Sequence, residues 1–176
     1  VGGGPIDVVG AGKADLHALS EPCQVGECDS FFSHSWHDDG QQKWEALSGW
    51  CEQFKQQYQR SPRLWLDKVC IDQQNTQADL QCLPIFLAAC NLLLVISGPT
   101  QTSRLWCCVE LFVYVQMTQE DPTAEAPVVI TIAANDAEHA RVRNGYRHFD
   151  AESCECFNQE DKTRIFAVIA GYPGGV

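Results

Sequence analysis

The run Asn91-Leu92-Leu93-Leu94-Val95-Ile96-Ser97, closed by Gly98-Pro99, constrains this chain more than any other segment. It is far shorter than the roughly 18 apolar residues of a membrane span. Its length is that of a strand. Its apolar residues follow one another instead of alternating with polar ones, so both faces have to be covered, as in a parallel sheet. Parallel neighbours are joined by crossovers that usually contain a helix. The rest of the chain is therefore expected to alternate strand and helix.

It reads that way. Residues 30–34 form a short apolar strand ending in polar residues. Residues 41–58 place Trp44, Leu47, Cys51, Phe54 and Tyr58 at helical spacing. Pro62 stops that helix and residues 63–67 read as a second strand. A polar loop over 72–79 leads to a helix near 83–90, with Pro84 tolerable in its first turn. Helix 103–118, strand 128–133, a polar helix near 136–143 and a short edge strand around 146–149 follow. A helix over 160–172 closes the chain, with Ile165, Val168, Ile169 and Tyr172 on its buried face. Residues 1–27 are expected to be a tail or extension with one short helix around 14–19, and residues 28–176 one domain. The expected product is a doubly wound, mostly parallel five-stranded sheet with helices on both faces. Ligands of such sheets bind at the carboxyl ends of the strands. His34-Ser35-Trp36, Asp67-Lys68 and Ser97 fall at those ends.

Charge narrows the partners. Against 12 Lys and Arg stand 23 Asp and Glu, a formal net charge of -11. A nucleic-acid backbone or an anionic membrane needs a basic face, so neither is an expected partner. A small anionic molecule held in a local cradle remains compatible. Residues 1–12 have neither the charged start nor the apolar stretch of a signal peptide. The ten cysteines, several on apolar helix faces, suit buried thiols in a reduced, cytoplasmic protein better than a disulfide framework. Gly10-Ala11-Gly12-Lys13 is not a phosphate-binding loop, because Asp7 stands where the first glycine belongs and Ala14 where a Ser or Thr is needed.

On a helix, Ser103, Cys107, Glu110 and Tyr114 form one stripe, with Leu105, Cys108, Val109, Phe112 and Val115 facing the core. Glu110 stands between Val109 and Leu111 in a segment almost free of charge, either as a reactive carboxylate or as a surface partner of Arg104. Cys23, Cys28, His34 and His37 match no standard zinc spacing, and no metal is expected. Cys154-x-Cys156 is a weak redox or metal hint. A Cys107–His34 nucleophilic pair is a further alternative to ordinary packing.

Four motifs in order carry a resemblance. Trp106-Cys107-Cys108-Val109-Glu110-Leu111 resembles the Trp-Cys-x-x-Glu-Leu signature of TIR domains, and Asp29-Ser30-Phe31-Phe32-Ser33-His34-Ser35 their first strand. Leu64-Trp65-Leu66-Asp67 and Leu93-Leu94-Val95-Ile96-Ser97 resemble the second and third. The segment from Leu64 to Gln73 is similar to one in fungal heterokaryon-incompatibility domains, distant TIR relatives. The resemblance implies a flavodoxin-like three-layer sandwich and cleavage of the nicotinamide–ribose bond of NAD, a substrate and not a resident cofactor. It implies Glu110 as the catalytic carboxylate and His34, Ser35, Trp36, Asp67, Lys68, Ser103 and Cys107 as residues bordering the substrate. Trp36 is read either as a platform for a nicotinamide or adenine ring or as a core or rim tryptophan. TIR domains also self-associate, so a non-catalytic interaction module is the alternative function, and a nucleotide sensor without turnover a third.

Overall fold

The computed structural model describes residues 16–71, 82–119, 125–156 and 159–171. The apolar run forms strand β3 (Cys90–Ser97) in the interior of a parallel sheet, flanked by β1 (Cys28–His34) and β4 (Val128–Thr131). Strand β2 (Leu64–Trp65) pairs with the other side of β1. The order is β2-β1-β3-β4, which follows the first four strands of the flavodoxin-like order. The chain is an α/β protein with a parallel four-stranded sheet and helices on both faces.

The alternation of side chains along β1 and β3 divides the core in two. Phe31, Leu93 and Val95 point to one face, where they meet α3 (Leu83–Ala88), α4 (Leu105–Gln119) and α6 (Gln159–Gly171). Phe32, Leu94 and Ile96 point to the other, where Ala46, Leu47 and Trp50 of α1 (Gly40–Tyr58) cover them. Asp39 caps α1, its side chain accepting the Gln42 N–H, and Asn135 does the same for Glu138 at the start of α5 (Asp136–Arg147). Pro84 sits in the first turn of α3, where its missing N–H costs nothing.

Three expectations are corrected. Among the described residues the sheet has four strands, and residues 146–149 form no fifth: Tyr146 and Arg147 are the last turn of α5, whose 12 residues outrun the expected end at 143. Strand β2 is two residues long because Asp67 already begins a short helix, α2 (Asp67–Cys70), instead of ending the strand. Ser103 does not join α4. A 3-10 turn over Gln101–Ser103 and an extended Arg104 (φ -100°, ψ 115°) precede it, and Arg104 bridges to Glu155. Helix α4 carries one charged residue, Glu110, and is apolar almost all round, so its faces are hard to separate by periodicity. Val113 and Tyr114 are buried, whereas the expected core residues Cys108, Phe112 and Val115 are half-buried.

The 3-10 turn Leu16–Leu19 rests on α2, with His17 Nδ1 3.2 Å from the Val69 carbonyl. Residues 10–13, Ala14, the loop 72–79, the Val168 side chain and Tyr172 lie outside the described residues. Every cysteine is free: Cys90 opens β3 and Cys82 caps α3, while Cys51 lies on α1 and Cys108 on α4. Among the described residues no helix is long and apolar enough to cross a membrane.

Leu94 is fully buried, and Leu94→Ala is expected to cost about 3 kcal/mol of unfolding free energy. Val129 on the β4 edge is 46% exposed, and Val129→Ala is expected to cost less than about 1 kcal/mol. Denaturant titration of both variants distinguishes this two-faced sheet from one that buries its edge.

Candidate functional site at the carboxyl ends of the strands

Asp67 occupies the point where the two faces of the sheet meet. It follows β2, opens α2, accepts the Lys68 N–H at 2.6 Å, and accepts the indole N–H of Trp36 at 3.1 Å. Trp36 comes from the loop after β1 and is 51% exposed. Its ring stands edge-on to His34 at 4.4 Å, and His34 stacks on Phe32 at 4.6 Å. The period of two along β1 puts residues 32 and 34 on one face, and the turn that follows brings Trp36 against His34. Lys68 Nζ lies 4.7 Å from the Trp36 ring centre and Lys43 Nζ 5.9 Å, so a cation-flanked aromatic edge stands in an acidic protein.

From the opposite face α4 contributes Cys107 and Glu110. Cys107 is buried and its Sγ–H donates to the His34 carbonyl at 3.4 Å. Glu110 is half-buried, and its carboxyl is influenced by the Ser33 hydroxyl and the charge of Asp67. Burial raises its pKa to about 8, with the Asp67 charge adding to the rise and Ser33 opposing it. Burial also raises Asp67, against the Trp36 and Lys68 hydrogen bonds. His34 moves the other way, down to about 3, because burial and the Lys43 charge both disfavour the imidazolium. A neutral, stacked His34 is a platform and not an acid–base group. Burial pushes the Cys107 thiol well above its usual range, and it touches the His34 backbone, not its ring, which removes the nucleophilic pair.

The fold thus gathers His34, Trp36, Asp67, Lys68, Cys107 and Glu110 at one end of the sheet. Two further expected members are bound differently. Ser35 is 1% exposed and bound internally: its hydroxyl meets Thr100 Oγ1 at 2.7 Å and accepts the His37 N–H. Ser103 is exposed, its hydroxyl donating to the Thr100 carbonyl. Arg104 pairs with Glu155 at 2.9 Å and not with Glu110.

Residues that the sequence did not single out complete the site. Ser33 lies under Glu110. Lys43, on α1, donates to the Ser35 carbonyl at 2.7 Å. Asp38 Oδ1 accepts both the N–H and the hydroxyl of Thr100, and a side chain on Gly98 would collide with Asp38. Polar residues in the turns after two adjacent strands, next to a glycine, were the available signal. Among the described residues no three His, Cys, Asp or Glu side chains are grouped as metal ligands.

A cavity of about 710 Å³ lies at the other end of the strands, lined by Trp50, Phe54, Arg60, Tyr114 and others, and none of the candidate residues reaches it. Some of its polar groups pair with one another. Arg60 holds Asp29 through two contacts of 2.6 Å, and Tyr114 donates to the Glu125 carbonyl.

No family model matches this chain, and no curated protein or solved structure matches it either.

Between pH about 4.5 and about 8 the folded chain keeps a proton on Glu110 that the unfolded chain releases, so stability attributable to this residue falls as pH rises through that window. Glu110→Gln removes the loss. The variant is expected to melt alongside the wild type at acid pH and higher by roughly 5 °C above pH about 8. A constant offset at every pH would show that the carboxyl is ordinary.

Proposed function

We propose that this chain is a TIR-like NAD+ nucleosidase that breaks the nicotinamide–ribose bond, releasing nicotinamide and ADP-ribose or a cyclised product, in immune, cell-death or stress signalling. The carrying observation is Glu110: a half-buried carboxylate free of the Arg104 ion pair, within the field of Asp67, which itself holds the Trp36 indole.

The chemistry fits a carboxylate in such surroundings. Nicotinamide in NAD+ is already a cationic leaving group and departs with the electron pair of the glycosidic bond, so no strong general acid is required. The ribose left behind carries oxocarbenium character, which a nearby carboxylate stabilises most where water is scarce. Water then attacks the anomeric carbon and loses a proton, giving ADP-ribose. Trp36 offers a face for a ring, and Lys43 and Lys68 offer charge for the diphosphate. A site whose carboxyl holds its proton when empty ionises more readily once a pyridinium cation enters. The acid limb of kcat/KM is therefore expected near pH 8, where free Glu110 titrates, and that of kcat at lower pH.

The alternative is a self-associating interaction module. Trp44 on α1 is 49% exposed and Val129 on the outer strand 46%, which favours contact between copies. Such assembly is compatible with catalysis as well. Nicotinamide release from NAD+ at high protein concentration separates the two. Glu110→Ala is expected to lower the rate about 100-fold or more, and Trp36→Ala to raise KM roughly tenfold. Equal release by wild type and Glu110→Ala would assign the activity to another group. No release from a sample that sedimentation shows to be assembled would favour the interaction module.

A further inference from the structure

Gln101 lies behind the carboxylate, in the 3-10 turn between β3 and α4. It is 3% exposed, which is uncommon for an amide side chain in a connecting turn. The turn is fixed by its backbone: the Gln101 N–H donates to the Gly98 carbonyl at 3.2 Å, and the Gln101 carbonyl accepts the Arg104 N–H at 3.3 Å. From this position Nε2 donates to Ser33 Oγ at 3.2 Å. Ser33 is 1% exposed on β1, and its hydroxyl is the group that favours the charged form of the Glu110 carboxyl.

The direction of these bonds follows from the donors available. An amide nitrogen donates and cannot accept, and a serine hydroxyl has a single proton. With Gln101 filling a lone pair of Ser33, that proton is left for the carboxylate. Oε1 of Gln101 has no partner among the described residues, and a buried unpaired carbonyl is destabilising. Stability alone does not favour an amide here; what its nitrogen does for Ser33 supplies a reason. The other titratable groups around Glu110 are Asp67 from α2 and the thiols of Cys107 and Cys108 on its own helix, none of them cationic. Ser33 is thus the group that favours the ionised carboxyl.

We propose that Gln101 is a positioning residue for Glu110, acting through Ser33: it directs the serine hydroxyl at the carboxyl and holds both in register across β1 and α4. Its effect on turnover rests on the nucleosidase reading; its effect on Glu110 does not.

The test is carbon-13 NMR of glutamate-labelled protein, with the Glu110 carboxyl assigned by its disappearance in Glu110→Gln. Gln101→Met keeps the volume and removes the donor. Its titration midpoint is expected to rise by about half to one pH unit, and that of Ser33→Ala by at least as much. Gln101→Met is expected to add nothing in the Ser33→Ala background. Gln101→Glu, which only accepts, is expected to raise the midpoint further. Should Gln101→Met fail to fold, Gln101→Asn shortens the reach of the donor and is expected to raise the midpoint too. An unchanged midpoint in a folded variant, or the same shift with and without Ser33, overturns the proposal. With NAD+, Gln101→Met is expected to lower kcat roughly fivefold with KM unchanged. If wild type shows no turnover while the NMR pattern holds, the nucleosidase reading fails and the positioning role stands. If wild type turns over NAD+ and Gln101→Met alters neither midpoint nor kcat, the positioning role fails alone.

Discussion

β1 and β3 lie side by side from Cys28↔Cys90 to His34↔Ile96, and that parallel pairing sets where everything else stands. Because both strands run the same way, their carboxyl ends arrive together, and the turns leaving them have to share one edge of the sheet. The turn after β1 supplies Trp36 and Asp38; the turn after β3 supplies Thr100 and Gln101. The period of two then sends Ser33 toward α4 and His34 toward α1. A one-residue slip in this register would exchange those faces and separate Ser33 from Glu110.

Burial treats three ionisable groups of this sheet in three ways. Asp29 is buried at the start of β1, where the Arg60 guanidinium and the Arg63 N–H hold its carboxyl below the usual range. His34 is buried without an acid and stays neutral. Glu110 has the Ser33 hydroxyl in favour of its charged form, and a second carboxylate nearby works against it. The first arrangement is structural and the second inert. The third is a carboxyl that neither ionises comfortably nor is sealed from solvent, a combination common at reactive sites.

Much of this was legible in the sequence. The continuous apolar run announced a doubly covered parallel strand, and the strand–helix alternation followed from it. Glu110, Trp36 and Asp67 were visible because a carboxylate in an apolar helix and polar residues at strand ends stand out locally. What was hidden depends on tertiary contact. Ser33 and Gln101 are ordinary residues until β1 and the 3-10 turn are brought within 3.2 Å. Ser103 was misplaced because helical spacing does not reveal that Arg104 would adopt an extended backbone and pair with Glu155. The supposed fifth strand was misread because Tyr146 looks β-forming, whereas its hydroxyl reaches Ser97 from the end of α5.

The knot of Ser35, Asp38 and Thr100 has a consequence for access. Thr100 donates its hydroxyl to Asp38 and receives that of Ser35, so the turns after β1 and β3 are cross-braced. Asp39, next in sequence, caps α1, which extends the brace into the longest helix of the fold. Such a rim cannot open by swinging one turn outward without uncapping a helix and exposing a buried acid. Motion at this rim is therefore expected in the exposed side chains of Trp36 and its neighbours, on side-chain timescales, with the backbone acting as a fixed frame.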